Sequence, residues 1–151
     1  MTSEQAIENI LKEQLRTYKA LHEILTKERK CLVDMDMEKV EEVSKEKDTV
    51  IMRLRLLEEE RQRLINRFVE DNCITGEINL RELGRITGND IFRQLRSQML
   101  SLLQGIEEMN KFNSSLINRS MAYFQVNNNF FRSFKKEDVS RTRGVLLSKE
   151  T

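Results

Sequence analysis

His22 is the only histidine in the 151-residue chain, and this removes much of the chemistry a small protein could offer. A metal site of several imidazoles cannot form within one chain, and a catalytic triad has one candidate base with no evident partner. A histidine packed on or solvated beside a helix is the simpler reading. Cys31 and Cys73 are far apart, form no C-x-x-C pair and sit among helix-forming residues. They read as reduced, partly buried thiols. Glu59 and Glu60 stand within a helical turn or so of Arg63, a spacing that suits solvated surface charge and not a paired acid and base. Gly84 and Gly88 flank a polar turn without the strand-loop-helix context of a phosphate loop. No nucleophile, base or metal set assembles, so neither an enzyme nor a cofactor is expected.

Two groups of residues remain unusual for their positions. Glu28, Lys47 and Arg61 are ionic, yet each falls where a helix repeat calls for an apolar side chain. Either their aliphatic stems pack while the charges reach water, or they pair only in one register and so select it. The second group is aromatic. Tyr123, Phe124, Phe130, Phe131 and Phe134 gather near the end of a chain that has two tyrosines, seven phenylalanines and no tryptophan. Each ring removes roughly 150–250 Å² from water when fully buried, so the cluster is either a docking surface or the plug of an aliphatic core, and a docking surface is expected. The nearby Arg132, Lys135, Lys136, Arg141 and Arg143 could support stacking on single-stranded nucleic acid. Glu137 and Asp138 interrupt them, and 26 basic against 25 acidic residues give no field for a polyanion. A nucleic-acid partner is not expected.

The elements that must position these residues are helices. The composition is 34% charged and 38% apolar, with no proline and five glycines. That is the composition of long amphipathic helices. No apolar run approaches the roughly 18 residues that would span a bilayer, and no signal-peptide pattern is present. A cytoplasmic protein with no membrane insertion is expected.

Thr2 and Gln5 form a capping-box pattern, and the seam that follows runs through Ile7, Leu11, Gln14, Tyr18, Leu21, Leu25, Glu28 and Leu32. Asp34 and Asp36 break it, and either can cap a second helix. Val40, Val43, Lys47, Val50, Leu54, Leu57, Arg61, Leu64 and Phe68 then recur at steps of three and four, so the two helices should zip antiparallel. In the connector, Asn79 to Ile86 can form two turns with Leu80, Leu83 and Ile86 on one side. A third long helix begins near Asp90, a suitable cap, with a seam of Leu95, Met99, Leu102, Ile106, Met109, Leu116, Tyr123, Phe130 and Phe134.

The expected fold is therefore all-α. A long antiparallel hairpin and a third long helix form a coiled-coil-like bundle, joined by a short connector helix. Helices are expected at about 4–33, 36–70 and 90–134, with a connector at 71–89, one domain over 1–134 and a flexible, disordered tail at 135–151. Asn127, Asn128 and Asn129 together cost up to about 2 kcal/mol of helix propensity, so the third helix can be continuous or kinked there.

The chain resembles the FlgN-type flagellar export chaperones. The resemblance is carried by Glu28 ahead of Leu32 and Asp36, by the run from Lys47 through Val50, Leu54 and Leu57 to Arg61, by the short polar connector, and by Asn110 and Asn113 ahead of Leu116. It covers about residues 4–134 and implies a cytoplasmic chaperone of the flagellar type III secretion system. Such a protein binds hook-associated (hook-filament junction) proteins, keeps their terminal segments from assembling early, and delivers them to the export gate. The family's substrate contact lies in its C-terminal helical region. Here that implies Asn113, Leu116, Tyr123, Phe124, Phe130, Phe131 and Phe134, in agreement with the aromatic argument. The phenylalanine-rich stretch from Asn127 to Phe134 departs from a typical member. A coiled coil that only oligomerises, for instance a homodimer through the third helix, would hide the same aromatics and remains the alternative.

Overall fold

The computed structural model describes residues 1–124, with side chains described through Arg119. Four helices account for it: α1 (Ser3–Val33), α2 (Met37–Asp71), α3 (Leu80–Thr87) and α4 (Asp90–Phe124). The all-α class, the long hairpin, the connector helix and the third long helix are all present. The expected continuation of α4 to Phe134 and the tail lie outside the described residues.

Local sequence sets each boundary. The Thr2 hydroxyl accepts from the Gln5 N–H at 3.2 Å, while the Gln5 side chain accepts from the Thr2 N–H at 3.1 Å. Two of the orphan donors at the start of α1 are thereby satisfied. The reversal between α1 and α2 passes through Met35 at φ 57°, and Asp36 then accepts from the Lys39 N–H to cap α2. Asn79 caps α3 in the same way through the Glu82 N–H. Gly88, at φ 67°, ends α3 in the left-handed conformation that glycine adopts without a Cβ penalty. At the start of α4 the capping side chain is Asn89, which accepts from the Ile91 N–H at 3.1 Å. Asp90, expected as the cap, is instead the acidic residue of the first turn.

Side-chain pairings fix the directions of the helices. Glu28 meets Lys47 and Gln14 meets Glu58, so α2 runs antiparallel to α1. His22 faces Gly105, and Asn113 bonds to Leu25 and Glu28, so α4 runs parallel to α1. Helix α1 packs against both α2 and α4, and α3 packs against α4. The main core joins Ile7, Leu11, Tyr18, Leu21 and Leu25 of α1 to Ile51, Leu54, Ile65 and Phe68 of α2 and to Phe92, Leu95, Met99 and Ile106 of α4. Ile78, Leu80 and Leu83 close it from the connector. A smaller cluster of Leu32, Val40 and Ile117 lies by the α1–α2 turn.

All eight expected seam positions of α1 are buried. In α2 the expected Val40, Val43, Lys47, Leu54, Arg61 and Phe68 are buried, whereas Val50, Leu57 and Leu64 are half-exposed and give way to Ile51, Glu58 and Ile65. The reason is geometric: a straight helix drifts by about 20° per heptad against a strict seven-residue repeat. One step of four in place of three, from Lys47 to Ile51, absorbs it. Helix α4 drifts likewise. Leu102, Met109 and Leu116 are half-buried at the edge of the seam, and Phe92, Asn113 and Ile117 fill its centre. In α3, Leu80 and Leu83 point inward, while Ile86, expected beside them, is exposed and Gly84 takes the inward position against Phe92.

Candidate functional site

Two polar layers cross the apolar seam, and both are buried. In the first, Lys47 Nζ on α2 donates to Glu28 Oε2 on α1 at 2.6 Å. Asn113 Nδ2 on α4 donates to Glu28 Oε1 at 2.8 Å and to the Leu25 carbonyl at 3.0 Å. Glu28 is thus the hub at which all three long helices meet. Lys47 and Glu28 are only 2% and 1% exposed by side chain, so snorkelling to water does not describe them. A buried carboxylate with an ammonium and an amide on its two oxygens is satisfied in one register alone.

The second layer centres on Glu58, which accepts from Gln14 at 2.9 Å and Arg61 at 2.7 Å, and from Gln62. Burial pulls the Arg61 guanidinium down to about 10, against a smaller opposing effect from Tyr18, so it remains a cation at neutral pH. Burial also pushes the Tyr18 phenol well above its ordinary range. Arg61 therefore does not share a site with Glu28 and Lys47; it belongs to a layer whose carboxylate, Glu58, lies one position off the strict heptad.

The candidate cargo residues divide. Asn113 is 1% exposed and serves as the third arm of the Glu28 layer, so it is not available to a partner in this conformation. Leu116 is half-buried and packs on the Leu32–Val40–Ile117 cluster. Tyr123 and Phe124 lie on the helical backbone of α4, and their side chains are outside the described residues, as are Phe130, Phe131 and Phe134 entirely. Sequence reasoning missed Phe112, a ring that α4 leaves 50% exposed. The signal was its place one turn before Leu116, off the heptad.

Other candidates for chemistry are structural. A Cβ at Gly105 would meet the His22 ring at 3.7 Å, ordinary van der Waals contact, so the imidazole lies against α4 there. Burial, and then Asp36, pushes the Cys31 thiol upward, which lowers its thiolate fraction and its reactivity. Among the described residues no group of three His, Cys, Asp or Glu could hold a metal ion, and no helix is long and apolar enough to cross a membrane.

No curated protein and no solved structure matches the chain. A family model described as "FlgN protein" matches residues 1–144. With that match over nearly the whole chain, the protein belongs to the FlgN family, a family of flagellar export chaperones.

Proposed function

We propose that this chaperone acts in the cytoplasm for the flagellar type III export system, that its clients are hook-associated proteins, and that it hands them to the export gate. The client surface is Leu116, Tyr123, Phe124, Phe130, Phe131 and Phe134. One observation carries the reading beyond family membership. The cluster of Leu32, Val40 and Ile117 is the one nearest the α1–α2 turn, and the backbone of α4 continues past it to Phe124 while α1 ends at Val33. The aromatic run follows in sequence. A client that carries an amphipathic helix must have its apolar stripe covered before assembly, and a helix continuing past its own bundle supplies a matching stripe reversibly.

The test is co-purification with a candidate hook-associated protein, read by size-exclusion chromatography with light scattering. It runs beside a truncation after Ser120, which spares Ile117 and the second cluster. The full chain should form a defined complex and the truncation should not. Replacing Phe130 and Phe131 by alanine should weaken the complex about tenfold with helix content unchanged. If the full chain ignores the client and truncation only converts a dimer to a monomer, the aromatics are an oligomer interface.

A further inference from the structure

We propose that the groove between α1 and α4 beside the α1–α2 turn is the first section of the client site, and that it takes an amphipathic helix whose apolar stripe is bordered by carboxylates. This rests on the chaperone reading above and extends it to Phe112, Val33, Arg29 and Arg119. The argument begins where the groove is closed. His22 lies against Gly105, and because α1 and α4 run parallel, equal steps from that contact stay level. Arg29 and Phe112 are each seven residues on, and Val33 and Leu116 each eleven, so each pair lies within about one helical turn along the axis. The Asn113 bonds to Leu25 and Glu28 keep α1 and α4 in contact along this stretch.

Here the surface changes from closed to open. Phe112 is 50% and Val33 60% exposed, and Leu116 between them and the core is half-buried. A large ring and a branched aliphatic left exposed on facing helices form an apolar strip that packs into neither cluster among the described residues. It runs along α4 in the direction of the helix's last described residue, Phe124. Its flanks carry three exposed bases, Arg29, Lys30 and Arg119, against the exposed Asp34 that follows Val33, and none of the three bases forms an ion pair among the described residues. The acidic Glu108 lies one turn back, toward the closed end, where it accepts from Gln104. A helix lying in the open section meets apolar contacts at its centre and cations at its edge, so Asp or Glu beside its stripe is favoured and Lys or Arg is disfavoured.

The probe is the hook-associated protein that co-purifies with the full chain, with affinity measured at low and at physiological salt. Phe112→Asp and Val33→Asp should each weaken binding about tenfold while urea midpoints stay near wild type, since both sites are exposed. Arg29→Glu with Arg119→Glu should weaken binding at low salt and flatten its salt dependence. Wild-type affinity in Phe112→Asp and Val33→Asp would overturn the groove and leave the chaperone reading standing, and binding indifferent to salt would overturn the carboxylate border. Failure of the wild-type chain to bind any hook-associated protein would overturn both readings. If either Asp variant loses stability, the other decides.

Discussion

Where α1 begins, side chains from all four helices and the connector merge into one apolar cluster, and α3 lies against its edge. Where α1 turns into α2, only Leu32, Val40 and Ile117 among the described residues are buried together, and the Glu28–Lys47–Asn113 layer stands between them and the main core. The first end gains stability from area. The second is specified by a charge layer and carries little apolar burial beyond it, so it can open at lower cost than the whole bundle. That end is also the one from which α4 continues, and it holds the exposed Phe112 and Val33. The contrast separates a part of the molecule whose apolar area makes the fold stable from a part that leaves Phe112 and Val33 exposed.

The sharpest way to break this comparison is at the layer that divides the two ends. Glu28→Ala strands the Lys47 ammonium and removes an acceptor from Asn113, and it should cost about 3–5 kcal/mol in urea unfolding. Replacing the pair together, Glu28→Leu with Lys47→Met, should recover most of that loss, because an apolar pair carries no desolvation penalty. The recovered protein should still lose register specificity, seen as additional cross-peaks or broadened lines for Leu32 and Ile117 methyls. A double variant as unstable as the single would show that the layer contributes net stability and not only register.

A pair of alanine substitutions on one helix sharpens it further. Ile106 is fully buried in the main core, and Ile117 is almost as buried in the small cluster. Ile106→Ala should fall in the middle or upper part of the range of about 2–5 kcal/mol, because dense neighbours on three helices leave a cavity that cannot collapse. Ile117→Ala should fall near the lower limit, and hydrogen exchange should quicken near Leu32 and Val40 without quickening near Leu54. Equal costs and uniform exchange would mean that the bundle opens only as a whole.

Much of this architecture was legible in the sequence. Helix α1 could be read position by position because its seam is wide: besides the expected eight positions, Leu15, Thr17 and Ile24 are buried too, so a small error in phase still lands inside. The α2 stripe is narrow, and there a strict heptad picked Leu57 over Glu58 because a leucine is the more obvious core residue. The carboxylate is buried since Gln14 and Arg61 satisfy it, which depends on the partner helix. Glu28 and Lys47 stood out as misplaced charges, but nothing in either local stretch says that they pair. Asn113 was the harder case. A polar residue in a seam suits a partner contact or a buried hydrogen bond equally well, and the choice turns on the α1 register, visible only once the helices are assembled. Phe112 escaped notice because exposure, unlike burial, leaves no period.

The smallest effect expected concerns the two turns that lie at the opposite ends of the bundle. At the α3–α4 junction the left-handed backbone falls on Gly88, but at the α1–α2 junction it falls on Met35, at φ 57° with 37% of its surface exposed. A residue with a Cβ pays about 1–2 kcal/mol for that conformation. Glycine would be relieved of it and would lose roughly 0.5–1 kcal/mol to greater freedom in the unfolded chain. Met35→Gly should therefore stabilise the protein by about 0.5 kcal/mol, a small upward shift of the urea midpoint. A downward shift would mean that the half-covered methionine contributes more through packing beside the second cluster than its backbone costs. The α1–α2 end would then be better packed than Leu32, Val40 and Ile117 alone suggest.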